Sequence, residues 1–337
     1  MVTYYTMSDS TYFVGTVALL NSLRLTGHDG ELVVLDCGLT THQVRRLEPH
    51  CRVAPAARRV GHRGLPMKPF AWKPDSRGVA AIIDSDILVT GRLSGPLRDA
   101  EEGRIAVFAE SDPRSFPQWA EVLELEAPAR SGRYVSSGFV AFSVERWPEL
   151  LPRWRDACRL ALQALQRDGP SSPEPARNPF AFTEQDVLTA LLLSEVPPEA
   201  AAVHDYELAP MQFRRDPIVV RDAVTLRCEL HGRHVLLLHG AGRPKPWSRG
   251  SWIVRSFEPY AALLPRVLFG RDVALRLAPG EAPPWLWPGA GGAAIRAVLG
   301  RVRRGLKAGV ALAPDDARIA IRRWVRKHAG DDYGRSG

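Results

Sequence analysis

The chain has 337 residues, 45% of them hydrophobic and 24% charged, which is the balance of a globular protein with a full core. Its formal net charge of +8 is unevenly placed: residues 271–337 contain 13 Lys and Arg against 6 Asp and Glu, whereas residues 1–270 contain 32 against 31. The nearly neutral body argues against a nucleic-acid-binding protein, which needs its basic excess on a folded face.

The sequence also argues against a membrane-spanning or disulfide-rich protein. It has no run of 18 apolar residues, and its first residues lack the basic and apolar regions of a signal peptide. The four cysteines are widely spaced and form no Cys-x-x-Cys pair, which favours reduced thiols over a disulfide frame or a zinc site. These features predict a cytoplasmic protein.

Strand and helix patterns alternate through the first hundred residues. A helix is predicted at 12–25, a second helix is capped by Thr40 or Thr41, and short apolar or β-rich runs predict strands at 2–7, 31–36, 78–83 and 104–108. Such alternation is typical of an α/β fold with a parallel sheet.

The second half of the chain is predicted from the same signals. Strands are expected at 138–143 and 234–238, helices at 146–167 and from a cap at Thr183 to about residue 193, and a loop at 168–179. The Pro/Gly-rich segment 280–292 is predicted to be a linker, followed by basic helices at 293–309 and 314–328. The predicted division is one domain over 1–270, with a linker and basic amphipathic tail over 271–337.

Two carboxylates follow a buried strand. Asp84 and Asp86 come directly after the apolar run 78–83, and ligands of open α/β sheets bind at the carboxyl ends of strands. Two oxygen donors at this spacing can both reach one divalent cation, which would neutralise charge on a diphosphate. The alternative is an ordinary solvated turn, because Asp-x-Asp is a short pattern.

A second polar segment follows the predicted strand 234–238. His239 can be the nitrogen ligand of the same cation, Gly240 and Gly242 permit close approach of the backbone to a phosphate, and Lys245 supplies a positive charge. The alternative for His239 is a hydrogen-bonded structural histidine. The neighbouring glycines and lysine favour the ligand.

The two segments together resemble glycosyltransferase family 8, which contains glycogenin and bacterial lipooligosaccharide galactosyltransferases. The resemblance rests on Asp84-Ser-Asp86 and on His239-x-x-Gly242-x-x-Lys245-Pro-Trp247, about 150 residues later, and it extends from the N-terminus to about Trp247. It implies a GT-A fold, with a single mixed and mostly parallel sheet flanked by helices. It also implies a UDP-sugar donor, Mn²⁺ or Mg²⁺, and retention of the anomeric configuration.

The resemblance also implies roles for residues at matching positions. Asp9 would contact the uracil or ribose, Tyr12 would stack on the base, and Lys245 would bind the diphosphate. The metal ligands would be Asp84, Asp86 and His239, and the residues around the donor would be Thr6, Asp9, Tyr12, Lys68, Asp84, Ser85, Ser136, Gly242 and Lys245. A helix cap remains the alternative for Asp9, and an exposed surface lysine the alternative for Lys68.

The segment Thr183-Glu184-Gln185-Asp186 resembles the Asp-Gln segment of the family. Gln185 would lie near the anomeric carbon, and Glu184 replaces the usual Asp, so Gln185, Glu184 and Lys245 are the predicted catalytic residues. A helix N-terminus that favours acids explains Glu184 and Asp186, but not Gln185. Ser136 stands where the family has Asn, which leaves the donor sugar open.

The sequence also supports alternatives to catalysis and a role for the basic tail. Residues 293–328 mix apolar and cationic residues at helical spacing, which permits peripheral contact with an anionic membrane or packing on the body. The alternative function is a catalytically silent sugar-nucleotide-binding or scaffold protein of the same fold. A nucleic-acid-binding protein that uses the tail and a nucleotidyltransferase are further alternatives. The motifs specify neither the acceptor nor an oligomeric state.

Overall fold

The structure is a computed structural model that describes residues 1–56, 68–71, 77–169, 174, 177–211, 217–248, 251, 258–292, 294–295, 297–299 and 301. The strands within these residues are β1 Val2–Ser8, β2 Glu31–Asp36, β3 Arg52–Pro55, β4 Val79–Ile83, β5 Ile87–Val89, β6 Ile105–Ala109, β7 Val135–Ser143, β8 Ala201–His204, β9 Val219–Asp222, β10 Arg227–Leu230, β11 Arg233–His234 and β12 Leu237–His239. The α-helices are α1 Phe13–Leu25, α2 Thr41–Leu47, α3 Lys68–Ala71, α4 Ser94–Glu101, α5 Gln118–Val122, α6 Leu150–Asp168, α7 Thr183–Ser194 and α8 Pro259–Phe269.

The main sheet has the strand order β3-β2-β1-β4-β7-β6-β8. Strand β7 pairs antiparallel with both β4 and β6, and every other neighbouring pair in this sheet is parallel. The predicted α/β class, with a single mixed and mostly parallel main sheet flanked by helices, is therefore confirmed. Because β7 is antiparallel to β4, its first residues lie beside the carboxyl end of β4. Asp84 and Asp86 follow β4 at this edge of the sheet.

A separate hydrophobic core covers each face of this sheet. In β4, Val79, Ala81 and Ile83 face one core while Ala80 and Ile82 face the other, as the two-residue period of a strand requires. The first core contains α1 and α8, and the second contains α6 and α7. Burial on both faces explains why the strands read as continuous apolar runs.

Two smaller sheets stand beside the main one. Strands β9, β10 and β11 form an antiparallel meander, and β5 pairs antiparallel with β12. The single strand predicted at 234–238 is wrong, because His234 ends β11 and a new strand begins at Leu237. The cap predicted for α7 is also wrong by one position: Phe182 is the N-cap and Thr183 is the first helical residue.

The other boundaries agree with prediction within a few residues. Strand β2 has the predicted bounds, and Thr40 caps α2 in a capping box with Gln43. Strand β7 begins three residues earlier than predicted, and α6 begins at Leu150 rather than at residue 146. Each of the four cysteines is a free thiol, as predicted.

The segment after residue 270 packs against the body. Asn21 of α1 donates to the carbonyls of Val267 and Leu275 at 2.6 and 2.8 Å and accepts from the Leu275 amide at 2.9 Å. Trp285 and Leu286 are 7% and 1% exposed, so a linker beginning at 280 is wrong. The predicted helices 293–309 and 314–328 lie largely outside the described residues, so membrane contact through 293–328 stays a prediction. Among the described helices, none has the length and apolar character needed to cross a bilayer.

Candidate active site

The turn that carries Asp84 and Asp86 is formed where β4 leaves the sheet. The amide of Asp84 still donates to the carbonyl of Gly138 at 2.9 Å, which extends the pairing of β4 with β7 by one residue. The carbonyl of Asp84 accepts from the amide of Ile87 at 3.0 Å, which closes the turn and starts β5. The turn therefore projects both carboxylates at the carboxyl end of β4, as the sequence predicts.

His239 reaches this turn because β12 pairs with β5. In that pair His239 lies opposite Ile87, one residue beyond Asp86. The amide of Gly240 donates to the carbonyl of Asp86 at 2.8 Å, so the backbone joins the two segments directly. Two strands of three residues each thus bring together side chains that are 153 positions apart in the chain.

The three predicted ligands form one cluster. The Nε2 atom of His239 is 3.2 Å from an oxygen of Asp86 and 3.8 Å from an oxygen of Asp84, and one ligand atom of each residue lies within 4.8 Å of the others. Ligand atoms that share a cation at roughly 2.1 Å are about 3 to 4 Å apart. The distances and the donor set, two carboxylates and one imidazole, therefore fit a divalent metal.

Lys245 lies against the same cluster. Its ammonium donates to the second oxygen of Asp86 and lies 5.2 Å from the centre of the Tyr12 ring. Burial acts to raise the pKa of Asp86, but the positive charge of Lys245 and the hydrogen bond from His239 hold that pKa well below its usual range. Asp86 is therefore an ionised carboxylate despite being 5% exposed.

Tyr12 and Trp247 connect the start of α1 with the His239 loop. Their rings meet edge to face at 6.1 Å, and the indole of Trp247 donates to the carbonyl of Thr11 at 2.9 Å. A Cβ on Gly15, one turn into α1, would lie 2.4 Å from the carbonyl oxygen of Ser85 and 2.5 Å from the Trp247 ring. Glycine at position 15 therefore allows three segments of the site to pack together.

Lys68 is buried beneath the site. Its ammonium contacts an oxygen of Asp84 and an oxygen of Glu184, each at 2.8 Å, and donates to the carbonyl of Ser137 at 2.8 Å. Burial acts to lower the pKa of Lys68, but the two carboxylates hold it above its usual range. Lys68 is 6% exposed, so the alternative of an exposed surface lysine is wrong.

Helix α7 begins beside this lysine. The side-chain oxygen of Gln185 accepts from the amide of Ser137 at 3.3 Å, and the indole of Trp154 donates to the carbonyl of Glu184 at 2.9 Å. The structure thus places Glu184 and Gln185 next to the first residues of β7, which adjoin the Asp84 turn. Their proposed contact with a donor sugar stays a prediction.

Asp186, the next residue of α7, is fully buried. Its two oxygens accept from the guanidinium of Arg114 at 3.0 and 3.2 Å, from the hydroxyl of Tyr134 at 2.9 Å and from the amide of Phe182 at 2.8 Å. No motif predicted Arg114, because it lies in a loop 72 positions from Asp186. The segment around it carries no motif that would single it out.

The remaining predicted donor contacts lie around the carboxyl edge. One oxygen of Asp9 accepts from the amides of Thr11 and Tyr12 at 2.9 and 3.0 Å in the turn before α1, but the N-cap of that helix is Tyr12, so the alternative of a helix cap is wrong for Asp9. Thr6 is buried in β1 at 1% exposure, and its hydroxyl has no partner among the described residues. The roles of both residues in donor binding stay predictions.

Three further predicted donor-binding residues have a small side chain or none. Ser85 lies between the two aspartates, and Ser136, near the start of β7, accepts from the amide of Gly138 at 3.2 Å. Gly242 has φ +83°, a backbone conformation that side-chain-bearing residues rarely adopt, which explains the glycine there.

Comparison with known proteins adds the following. Neither a protein-family model nor a curated protein matches the sequence. Among solved structures, the galactosyltransferase LgtC in complex with donor and acceptor sugar analogues matches with a TM-score of 0.47 and 14% identity, over 78% of this chain and 95% of that one. The bifunctional glycosyltransferase WbbM in its apo form matches with a TM-score of 0.47 and 15% identity, over 81% and 50%.

A third match is an active-site mutant of LgtC, with a TM-score of 0.44 and 16% identity over 74% of this chain and 90% of that one. These neighbours carry the name of the class that the motif resemblance indicates.

Proposed function

We propose that this protein is a metal-dependent glycosyltransferase that moves a hexose from a UDP-sugar to a saccharide, lipid-linked or small-molecule acceptor with retention of configuration. The observation that carries the proposal is the convergence of Asp84, Asp86 and His239 with the ammonium of Lys245 at the carboxyl edge of the sheet. Such an edge is where α/β sheets bind ligands.

The donor set favours Mn²⁺ or Mg²⁺ as the cation. Carboxylates suit Mg²⁺ and Mn²⁺, while the imidazole of His239 shifts the preference toward Mn²⁺. Asp84, Asp86 and His239 would hold this cation, which would supply positive charge for the departing UDP. Lys245 would add a second positive charge for the diphosphate, and Gln185, beside Ser137, would face the sugar.

The test is a panel of UDP-glucose, UDP-galactose, UDP-N-acetylglucosamine and UDP-glucuronate, with and without Mn²⁺, followed by measurement of released UDP. We expect release from at least one donor that requires Mn²⁺. Asp86→Ala should lower that rate at least about a hundredfold, because several kcal/mol of charge stabilisation depend on the metal.

Asp168→Ala is the matched control, because Asp168 is an exposed carboxylate at the end of α6. It should release UDP at the wild-type rate. UDP release that is indifferent to both Mn²⁺ and Asp86→Ala would contradict the proposal, whereas donor binding without release would favour the silent sugar-nucleotide-binding protein. The anomer of the product, identified by nuclear magnetic resonance, tests retention.

A further inference from the structure

The chain contains only five lysines among its 45 Lys and Arg residues, and two of these lysines lie at the candidate site. Lys68 and Lys245 each pair with one aspartate of the metal cluster: Lys68 with Asp84 and Lys245 with Asp86. The surroundings of the two ammonium groups differ, and this difference indicates different tasks.

Lys68 is fixed in place. An ammonium group has three N–H donors, and those of Lys68 are directed to Asp84, Glu184 and the carbonyl of Ser137, each at 2.8 Å. These three partners belong to the β4 turn, α7 and β7, so moving Lys68 would remove its ammonium from two partly buried carboxylates and one buried carbonyl. The residue is suited to orient Asp84, and it cannot leave when a metal binds.

Lys245 is held by fewer groups. It pairs with Asp86 and faces the ring of Tyr12, and its side chain is 12% exposed against 7% for Lys68. A carboxylate and an aromatic face are both partners that an ammonium can exchange for a phosphate at modest cost. The side chain of Lys245 is therefore suited to move.

The metal and Lys245 require the same carboxylate. Asp86 uses one oxygen for His239 at 3.2 Å and the other for Lys245. A divalent cation held by Asp84, Asp86 and His239 would draw on the negative charge that Lys245 now neutralises. Two positive charges this close repel strongly in a site shielded from water.

We propose that Lys245 is the resident counter-ion of Asp86 in the metal-free protein, and that an arriving metal displaces it toward the donor diphosphate. This inference rests on the proposed function, because it assumes that the cluster binds a divalent metal and the site a diphosphate. Metal binding would then free the ammonium of Lys245 to bind the diphosphate. The metal and the diphosphate should therefore bind with positive coupling.

The first test measures Mn²⁺ affinity in the absence of nucleotide, by calorimetry or electron paramagnetic resonance, for the wild type, Lys245→Met and Lys245→Arg. We expect Lys245→Met to bind Mn²⁺ up to about tenfold more tightly, because the competing cation is gone, within the range seen for coupled sites. Lys245→Arg keeps the charge and should bind Mn²⁺ like the wild type. With UDP present, Lys245→Met should lose its advantage and bind UDP more weakly.

A lysine with no role before the donor arrives would give a different result. In that case Lys245→Met would bind Mn²⁺ as the wild type does, or more weakly, and the inference would be overturned. If the wild type itself binds no Mn²⁺, this measurement contradicts the proposed function. A failure of the proposed function is therefore distinguishable from a failure of the inference, which requires that the wild type binds Mn²⁺.

The second test follows Lys245 in the unaltered protein. Amine acetylation, read by peptide mass spectrometry, should modify Lys245 several-fold faster once Mn²⁺ is added, and UDP with Mn²⁺ should protect it again. Lys68 is the internal control and should be acetylated slowly under each condition, since it is buried. Acetylation of Lys245 that Mn²⁺ slows or leaves unchanged would contradict the displacement.

Discussion

The two sides of the candidate site use their acidic residues in opposite ways. On the metal side, Asp84 and Asp86 each direct an oxygen toward His239, at 3.8 and 3.2 Å, so three potential ligands converge on one position. On the α7 side, Asp186 is fully buried and accepts from Arg114, Tyr134 and a backbone amide. The same residue type supports the scaffold on the α7 side, and on the other side it is placed where it could hold the proposed cation.

This difference has an energetic consequence. Asp84 and Asp86 converge on one position, and each pairs with a lysine, so a metal that binds there would share carboxylates that ammonium groups already neutralise. Burial raises the pKa of Asp186, whereas its partners act in the opposite direction, and removal of one partner would leave a buried acidic group with fewer hydrogen bonds. We therefore expect variants on the α7 side to change stability and variants on the metal side to change metal affinity.

The largest expected effect is that of Arg114→Met on the α7 side. It removes the guanidinium that pairs with the fully buried Asp186, which should lower the free energy of unfolding by about 3–5 kcal/mol. Urea denaturation measures this loss, and Mn²⁺ titration of the folded variant should give the wild-type affinity.

Arg167→Met is the matched control, because Arg167 forms an exposed pair with Asp168 and should leave stability unchanged. If Arg114→Met weakens Mn²⁺ binding as strongly as it lowers stability, the expected separation of metal affinity from stability is contradicted. That outcome would place the α7 side within the metal site itself.

Asp86→Asn should show the opposite pattern. The amide keeps the shape of the side chain but removes one ionised ligand, so Mn²⁺ affinity should fall at least about a hundredfold, the upper end of the loss seen for residues that only support ligands. Removal of a repelling carboxylate offsets the lost ion pair with Lys245, so the free energy of unfolding should stay within about 1 kcal/mol of the wild type. A strongly destabilised Asp86→Asn would assign Asp86 to the scaffold.

The metal side could be read from the sequence because its signals are local. Asp84 and Asp86 follow a buried apolar strand, and His239 ends another, so each ligand is placed at a strand end by its own neighbours. The pairing of β5 with β12 could not be predicted, since strands of three residues carry too little periodicity.

The contacts on the α7 side could not be predicted from the sequence. The pair of Arg114 with Asp186 joins residues 72 positions apart through a loop, and only the tertiary fold brings them together. The Pro and Gly content of 280–292 predicts a linker, although its apolar side chains Trp285 and Leu286 are buried in the core. Composition alone does not reveal where such a segment packs.

Gly15→Ala should give the smallest effect, and it should change both the free energy of unfolding and the Mn²⁺ affinity. The new Cβ would lie 2.4 Å from the carbonyl oxygen of Ser85, in the turn that carries both aspartates, and 2.5 Å from the Trp247 ring. Overpacking of this kind should cost about 1–3 kcal/mol of stability. The displaced turn should also weaken Mn²⁺ binding.

Gly95→Ala is its matched control, because Gly95 lies in α4 and a Cβ there meets nothing within 4 Å. It should leave Mn²⁺ affinity unchanged, and because Pro96 follows Gly95 directly, no gain in stability is expected. If Gly15→Ala lowers stability while Mn²⁺ affinity stays at the wild-type value, the metal turn does not depend on its contact with α1. The pairing of β5 with β12 would then be the main support of the site. Arg114 would affect stability and Asp86 would affect Mn²⁺ affinity through separate parts of the fold.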